Sequence, residues 1–431
     1  MSNPGQNSPL IWLRPGMHVK RWLFVLILGI VLVSLGLAYL LRHLYSDLTF
    51  PTISYWLTLQ FISRPARAVL LGSFGIGLIV LAMLKINQSL LRPFLAPNQE
   101  NVGERVFRHH QRRRGPRIVV MGGGTGLSTL LRGLKVHSDN ITAIVSVADD
   151  GGSSGRLRQA TGMPPPGDIR QCLVALSEAE NLTGHLFQYR FSDEYGLAGH
   201  NFGNLFIAAM AEITGSFEQG VVESSRVLAV RGRVIPSTLK DVTLAADVRV
   251  ESETNGYGWQ RVVGESAIPA ARSRIERVYL EPESVPAYPE AIKAILQADF
   301  IVAGPGSLFT SVLPNVLVPS VAAAIRASTA RKLYICNVAT QPGETEDFDV
   351  EDHVRALQRH VGNLFPEVLA NDRIIASTGE QAHLKPVALP PQSPTDYTLL
   401  TADVIDEARP WRHDSAKLAK VILDIYAEPV V

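Results

Sequence analysis

The chain has 431 residues, enough for more than one domain, and its 41 basic and 40 acidic side chains nearly cancel at a net charge of +1. Charge alone therefore points to no acidic partner. Its two cysteines, Cys172 and Cys336, lie far apart; they imply neither a disulfide framework nor a thiolate metal centre, and a reducing compartment fits.

The N-terminal quarter differs from the rest. Trp22 to Leu41 is a run of twenty uncharged residues rich in Leu, Val and Ile, about 30 Å as a helix and so matched to a bilayer core. A second apolar run, Ala68 to Leu84, is bounded by Arg67 and Lys85, whose side chains can snorkel. The first run is too long for a signal-peptide core and lacks a small-x-small cleavage site. Arg14, Lys20 and Arg21 precede it, Lys85, Arg92, Arg105 and Arg112 to Arg114 follow the second, and only Arg42, Arg64 and Arg67 lie between. The positive-inside rule then puts both ends in the cytoplasm and makes the chain a two-span protein of the cell (inner) membrane. The expected division is a cytoplasmic tail over 1–21, a two-helix membrane hairpin over 22–92, a basic linker over 93–116 and one α/β domain over 117–431. The linker, with RHHQRRRGPR, reads as a solvated tether; attraction to anionic lipid is the other reading. Its lack of interleaved aromatics argues against nucleic acid.

In RIVVMGGGTGLS, Arg117 to Ser128, a β-branched run reads as a buried parallel strand. It enters Gly122, Gly123, Gly124, Thr125 and Gly126 and then a helical pattern through Leu127, Leu130, Leu131 and Leu134. A strand, a glycine turn and a helix N-terminus make an anion site, because the backbone can approach a phosphate and the helix end presents free amides. The spacing is neither GxGxxG, since the third position falls on Leu127 or Thr129, nor a Walker loop.

ITAIVSVADD is a second strand, ending in Asp149 and Asp150 at what would be the ligand edge of the sheet. These are the candidate catalytic carboxylates, and either can hold Mg²⁺ through oxygen or bind a ribose hydroxyl. Asp149 lies 23 residues beyond Gly126, the spacing that motivates a dinucleotide-binding alternative. In GGSSGR, the backbone with Ser153 and Ser154 offers a second phosphate nest and Arg156 a charged contact; a flexible turn is the plain alternative. PPPGDIR leads a helix with Asp168 as its expected N-cap. GHNFGNLF places His200, Asn201 and Asn204 at a helix start, as ligand contacts or as caps. Strands over VTLAADVRV and QRVVGESAI flank an Asn255-Gly256 turn, a hairpin signal, and IERVYLEP adds a strand. ADFIVAGPGSLFTSVLPN repeats the strand, glycine loop and helix logic with Gly304, Gly306, Ser307 and Thr310, and NVATQPGET brings Thr340 and Gln341 to a third strand end. Two glycine loops in one sheet can straddle a diphosphate. Lys417 to Ala427 reads as a terminal helix. The fold class is α/β, a doubly wound, mostly parallel sheet with a small antiparallel insertion near 240–285.

Taken together, MGGGTGLS, ADDGGSSGRLR, PPPGDIRQCLVAL, GHNFGNLFIAA, GPGSLFTSVLPN and CNVATQPGET resemble the YvcK-type gluconeogenesis factors, a branch of the CofD-like superfamily, over 117 to about 425. The resemblance implies a Rossmann-like domain that binds UDP-sugars, and a role in cell shape and envelope synthesis during gluconeogenic growth. For the neighbouring CofD enzymes it implies Mg²⁺-dependent transfer of a phospholactyl group, the alternative activity here. By similarity, Gly122 to Gly126 with Ser128, and Gly304 to Ser307, take the nucleotide and its phosphates. Asp149 or Asp150 serves the metal or the acceptor, and Asn201 and Asn204 touch the ligand. A homodimer is left open. The membrane hairpin departs from the commoner soluble members.

Overall fold

The computed structural model describes residues 115–428 apart from 179, 193–196, 253–255, 376–380 and 382, with only scattered positions before 115. The chain divides into two compact units, Met1–Gln111 and Arg112–Val431. Most of the two expected membrane spans lies outside the described residues. Within the second, 72–77 and 79–81 are helical, with Phe74 and Ile76 exposed. Among the described residues no single helix is long and apolar enough to cross a membrane.

In chain order the strands of the second unit are β1 (Ile118–Gly122), β2 (Ile141–Val145), β3 (Arg233–Pro236), β4 (Thr243–Ser252), β5 (Gly256–Val263), β6 (Arg274–Glu281), β7 (Phe300–Ala303), β8 (Arg331–Ile335), β9 (Glu367–Asn371), β10 (Thr398–Ala402), β11 (Ile405–Asp406) and β12 (Arg409–His413). The helices used below are α1 (Gly124–Leu134), α2 (Gly152–Thr161), α3 (Gly167–Leu176), α4 (Glu180–Gln188), α5 (Phe202–Thr214), α6 (Phe217–Val227), α7 (Ala267–Ala270), α8 (Pro289–Gln297), α9 (Leu313–Val316), α10 (Pro319–Ala327), α11 (Val350–Val361) and α12 (Ser415–Ala427).

Seven strands form one sheet in the order β10-β9-β8-β7-β1-β2-β3, and every neighbouring pair is parallel. Its central strand β1 is buried along its whole length, which explains its unbroken apolar run. Val119 and Met121 point into one core and Ile118 and Val120 into the other, the alternation a pleated strand requires. Helices α1, α3 and α12 cover the second core, while α8, α10 and α11 cover the first together with the insertion. Helix α1 buries Leu127, Leu130, Leu131 and Leu134, spaced along one stripe.

The insertion is the antiparallel sheet β5-β4-β6. Leu244, Ala246 and Val248 of β4 are buried on its inner side. The β4–β5 turn at 253–255 lies outside the described residues; Ser252 pairs with Gly256, so the expected hairpin is present with Gly256 opening β5 instead of sitting in the turn. Local departures include the end of β2, which stops at Val145 and leaves Asp149 and Asp150 in the loop beyond it, and strands β3, β9 and β10, for which the sequence offers no expectation. GGSSGR forms the start of α2 rather than a loop nest, with Gly152 at φ +50°. Pro166, not Asp168, occupies the N-cap of α3, leaving the Asp168 carboxyl free to reach elsewhere. The hairpin β11–β12 between β10 and α12 has no counterpart in the sequence reading.

From β1 the chain winds outward through β2 and β3, then returns across the sheet to β7 and winds outward the other way. The reversal falls between β1 and β7. In an open α/β sheet this is where the loops leaving adjacent strands part and leave a crevice at the strands' carboxyl ends. The two glycine loops are the segments that leave β1 and β7.

Candidate functional site at the strand reversal

The loop after β1 turns through Gly124 at φ +60° directly into α1. The first amides of a helix have no intrahelical acceptor; the Gly124 amide bonds the Asp168 carboxyl, and those of Thr125 and Gly126 present two donors at the positive end of the helix dipole. The loop after β7 lies against them. A Cβ on Gly126 would stand 2.5 Å from the Pro305 carbonyl oxygen and 2.8 Å from the Gly306 Cα. No side chain fits between two backbones at that separation, so glycine here is a condition of the loops meeting.

The second loop is braced from behind. The Gly304 amide continues the sheet ladder to the Met121 carbonyl at 2.8 Å. The Gly306 amide donates to Asn337 Oδ1 at 3.2 Å, and Asn337 Nδ2 donates to the Gly306 carbonyl at 2.9 Å and to Gln341 Oε1 at 3.2 Å. Gln341 Nε2 then donates to Ser307 Oγ at 2.8 Å. The amides of Gly304 and Gly306 are thus already bonded, and the free amides for an anion are those of the first turn. A π-helical turn, Leu308–Val312, follows. Buried Asn315 ties it back to the end of β1, donating to the Gly122 carbonyl at 3.0 Å and the Ser311 carbonyl at 2.9 Å.

Between these loops lies a cavity of about 510 Å³. Of the residues expected from sequence, Gly123, Gly124, Thr125, Gly126, Asp168, Gly306, Ser307, Thr310, Thr340 and Gln341 line it. Gly122 and Gly304 sit behind its wall as strand-end residues, and Ser128 Oγ turns back to the Thr125 carbonyl at 3.0 Å. The remaining candidates form a polar seam between α2 and the start of α5. Ser153 Oγ accepts from the Asn201 amide at 3.2 Å, Asn204 Nδ2 donates to Ser154 Oγ at 3.3 Å, and Asn201 Oδ1 caps α5 through the Gly203 amide at 3.0 Å. Arg156 is exposed at the same seam, near Gly199. These side chains are not on the cavity wall.

Asp149 and Asp150 point to different tasks. Asp149 Oδ1 accepts from the Gly151 amide at 2.8 Å. Asp150 Oδ1 accepts from the Ser266 amide at 3.0 Å and its hydroxyl at 2.7 Å, which latches the insertion to the loop after β2. Among the described residues no three acidic, histidine or cysteine side chains converge to share a metal ion. Each of these two carboxylates is already engaged by the protein's own donors.

Four further residues of the wall are not singled out as candidates by the sequence. Glu265, at the base of the insertion, and Glu344, in the loop after β8, bring carboxyls; Trp411 and Arg412, on the hairpin β11–β12, bring an indole and the cavity's guanidinium. Glu344 was hidden within the quoted NVATQPGET block; the others are delivered by tertiary topology.

The acidic groups repel one another in a poorly solvated space. Burial, then the charge of Asp149, pushes the Asp168 carboxyl up to about 7, the Gly124 amide pulling the other way. Its Oδ2 lies where a Gly123 Cβ would be only 2.3 Å away, so this carboxyl sits against the anion turn itself. Burial, then Asp168 and Asp149, raises Glu265 well above the ordinary carboxylate range, and burial raises Glu344. Cavity carboxyls held near neutrality can bind or exchange protons.

A family model described as 2-phospho-L-lactate transferase CofD matches residues 118–431. The gluconeogenesis factor of Bacillus subtilis is 45% identical over 73% of this chain and 99% of its own length. That of Halalkalibacterium halodurans is 47% identical over 71% and 95%. A Nostoc sp. relative is 44% identical over 96% of this chain and 92% of its own, so its match extends into the N-terminal unit. A crystal structure of a UPF0052-family protein from Bacillus halodurans superposes with a TM-score of 0.64 at 44% identity, covering 71% of this chain and 98% of that one.

Proposed function

Because the chain belongs to the CofD family and, within it, to the gluconeogenesis factors, we propose that its cavity binds a nucleotide sugar of the UDP-sugar class. On this reading the protein regulates the flux of envelope precursors, and with it cell shape, during gluconeogenic growth. The observation that carries the proposal is the first glycine turn: the Thr125 and Gly126 amides, free of helical acceptors, open onto a 510 Å³ cavity at the strand reversal. A diphosphate matches those donors, Arg412 adds a charge-assisted contact, and Trp411 and Leu384 offer apolar surface to a base.

The two apolar runs of the N-terminal unit support a membrane tether as part of the proposal, since lipid-linked wall synthesis consumes UDP-sugars at the inner leaflet. Recovery of the full-length chain in the soluble fraction without detergent would contradict the tether.

The nucleotide site is tested by calorimetric titration of the full-length chain with UDP-N-acetylglucosamine, beside Gly124→Val. A side chain at Gly124 meets nothing within 4 Å, so the variant folds with about 1–2 kcal/mol of backbone strain. Its side chain occupies the phosphate's approach, and saturable binding should disappear. Equal affinity in the variant would place the ligand elsewhere.

A further inference from the structure

The cavity wall carries the donors of the first glycine turn and Arg412 together with three carboxyls: Asp168 against that turn, Glu265 at the base of the insertion and Glu344 in the loop after β8. Glu344 is 8% exposed. Its Oε1 accepts from the Thr310 hydroxyl at 3.0 Å, and the Ser307 hydroxyl and the Phe309 and Thr310 amides also favour its charged form, yet Oε2, buried in the cavity wall, accepts no hydrogen bond of normal geometry. Among the described residues neither glutamate is held by an ion pair: Lys and Arg partners within 4 Å are found for other acidic residues and not for these two. A buried carboxylate oxygen without a donor is destabilising, and a position that breaks a packing rule without local compensation is expected where a ligand supplies the missing partner.

The chemistry of that partner follows by elimination. A phosphate is repelled by two carboxyls. An apolar group would leave Oε2 as unsatisfied as before. A resident metal would need a converging set of ligands that the described residues do not provide. A neutral hydrogen-bond donor remains, and carboxyls on neighbouring walls suit a group bearing several hydroxyls. We infer that Glu344, with Glu265 facing it from the insertion, forms the subsite for the sugar of the bound nucleotide sugar, distinct from the amide turn that takes the diphosphate. This inference rests on the nucleotide-sugar reading and adds to it the residue that tells a sugar nucleotide from a bare nucleotide.

The test compares UDP with UDP-N-acetylglucosamine by calorimetry on the full-length wild type, Glu344→Ala and Glu344→Gln. The wild type should bind the sugar nucleotide more tightly than UDP. Glu344→Ala should weaken the sugar nucleotide by about tenfold or more and leave UDP within about twofold, erasing the increment. Glu344→Gln keeps the side-chain volume and carries the same expectation should the alanine variant fail to fold; freed of a buried charge, it should melt no lower than the wild type without ligand. Variants that keep the increment, or that weaken UDP and the sugar nucleotide alike, overturn the inference, as does a wild type that binds both ligands equally. A wild type that binds neither overturns the nucleotide-sugar reading, and this subsite with it.

Discussion

Gly126→Ala should both loosen the fold and abolish ligand binding. The added methyl would stand 2.5 Å from the Pro305 carbonyl oxygen and 2.7 Å from its carbon. These are backbone atoms, and the second loop cannot swing away cheaply. Gly304 is bonded into the ladder, Asn337 grips Gly306 on both sides, and Asn315 pins the following turn to β1. The strain must therefore appear as separation of the loops, at a cost of about 1–3 kcal/mol, typical of overpacking. A thermal midpoint several degrees lower, with no UDP-N-acetylglucosamine binding below it, is the expected result. A variant that melts and binds like the wild type would show that the loops are not held together as described.

The second large effect is a pH dependence centred on Asp168. Its carboxyl is raised to about 7 in the folded chain from an ordinary 3.8. Between those values the folded state holds a proton that the unfolded state has released. Stability linked to this group is therefore fully present below about pH 4 and is lost as pH rises through 7, at up to about 1.4 kcal/mol per pH unit. Asp168→Asn removes this contribution. The wild-type midpoint should fall between pH 5 and 7.5 by more than that of the variant, whose residual slope comes from Glu265 and Glu344, shifted in the same direction. Ligand binding should follow the same sense: with Asp168 protonated, the first turn faces a neutral neighbour, and a diphosphate should bind more tightly at pH 5.5 than at pH 8. Parallel melting profiles for wild type and variant would contradict this.

Much of the architecture is legible in sequence because the central strands are buried on both faces. Ile118 to Met121 and Phe300 to Ala303 must be continuous apolar runs, each followed at once by glycines, and topology then brings those glycines together. Asn201, expected as a ligand contact with a cap as the plain alternative, caps its helix and lies off the cavity wall. Other features escape local reading. GGSSGR looks like a nest, yet it is drawn into α2 because Ser153 and Ser154 pack against the start of α5 and Gly155 against the Asp150 backbone in the loop after β2. Asp168 has an N-cap's chemistry, yet Pro166 takes that place and the carboxyl faces the glycine turn instead. Glu265 and Arg412 belong to elements far along the chain, and only the packing of the insertion and of the hairpin β11–β12 brings them to the cavity. Nor can spacing reveal that the amides of Gly304 and Gly306 are already engaged.

The central claim is that free amides at the start of α1 receive the ligand's phosphates. Hydrogen exchange over residues 123–129 of the full-length chain, with and without saturating UDP-N-acetylglucosamine, addresses it directly. The account predicts marked slowing at Thr125 and Gly126 when the ligand binds, with the already bonded Gly304 and Gly306 amides changing far less. Saturable binding that leaves exchange at Thr125 and Gly126 unchanged would contradict it.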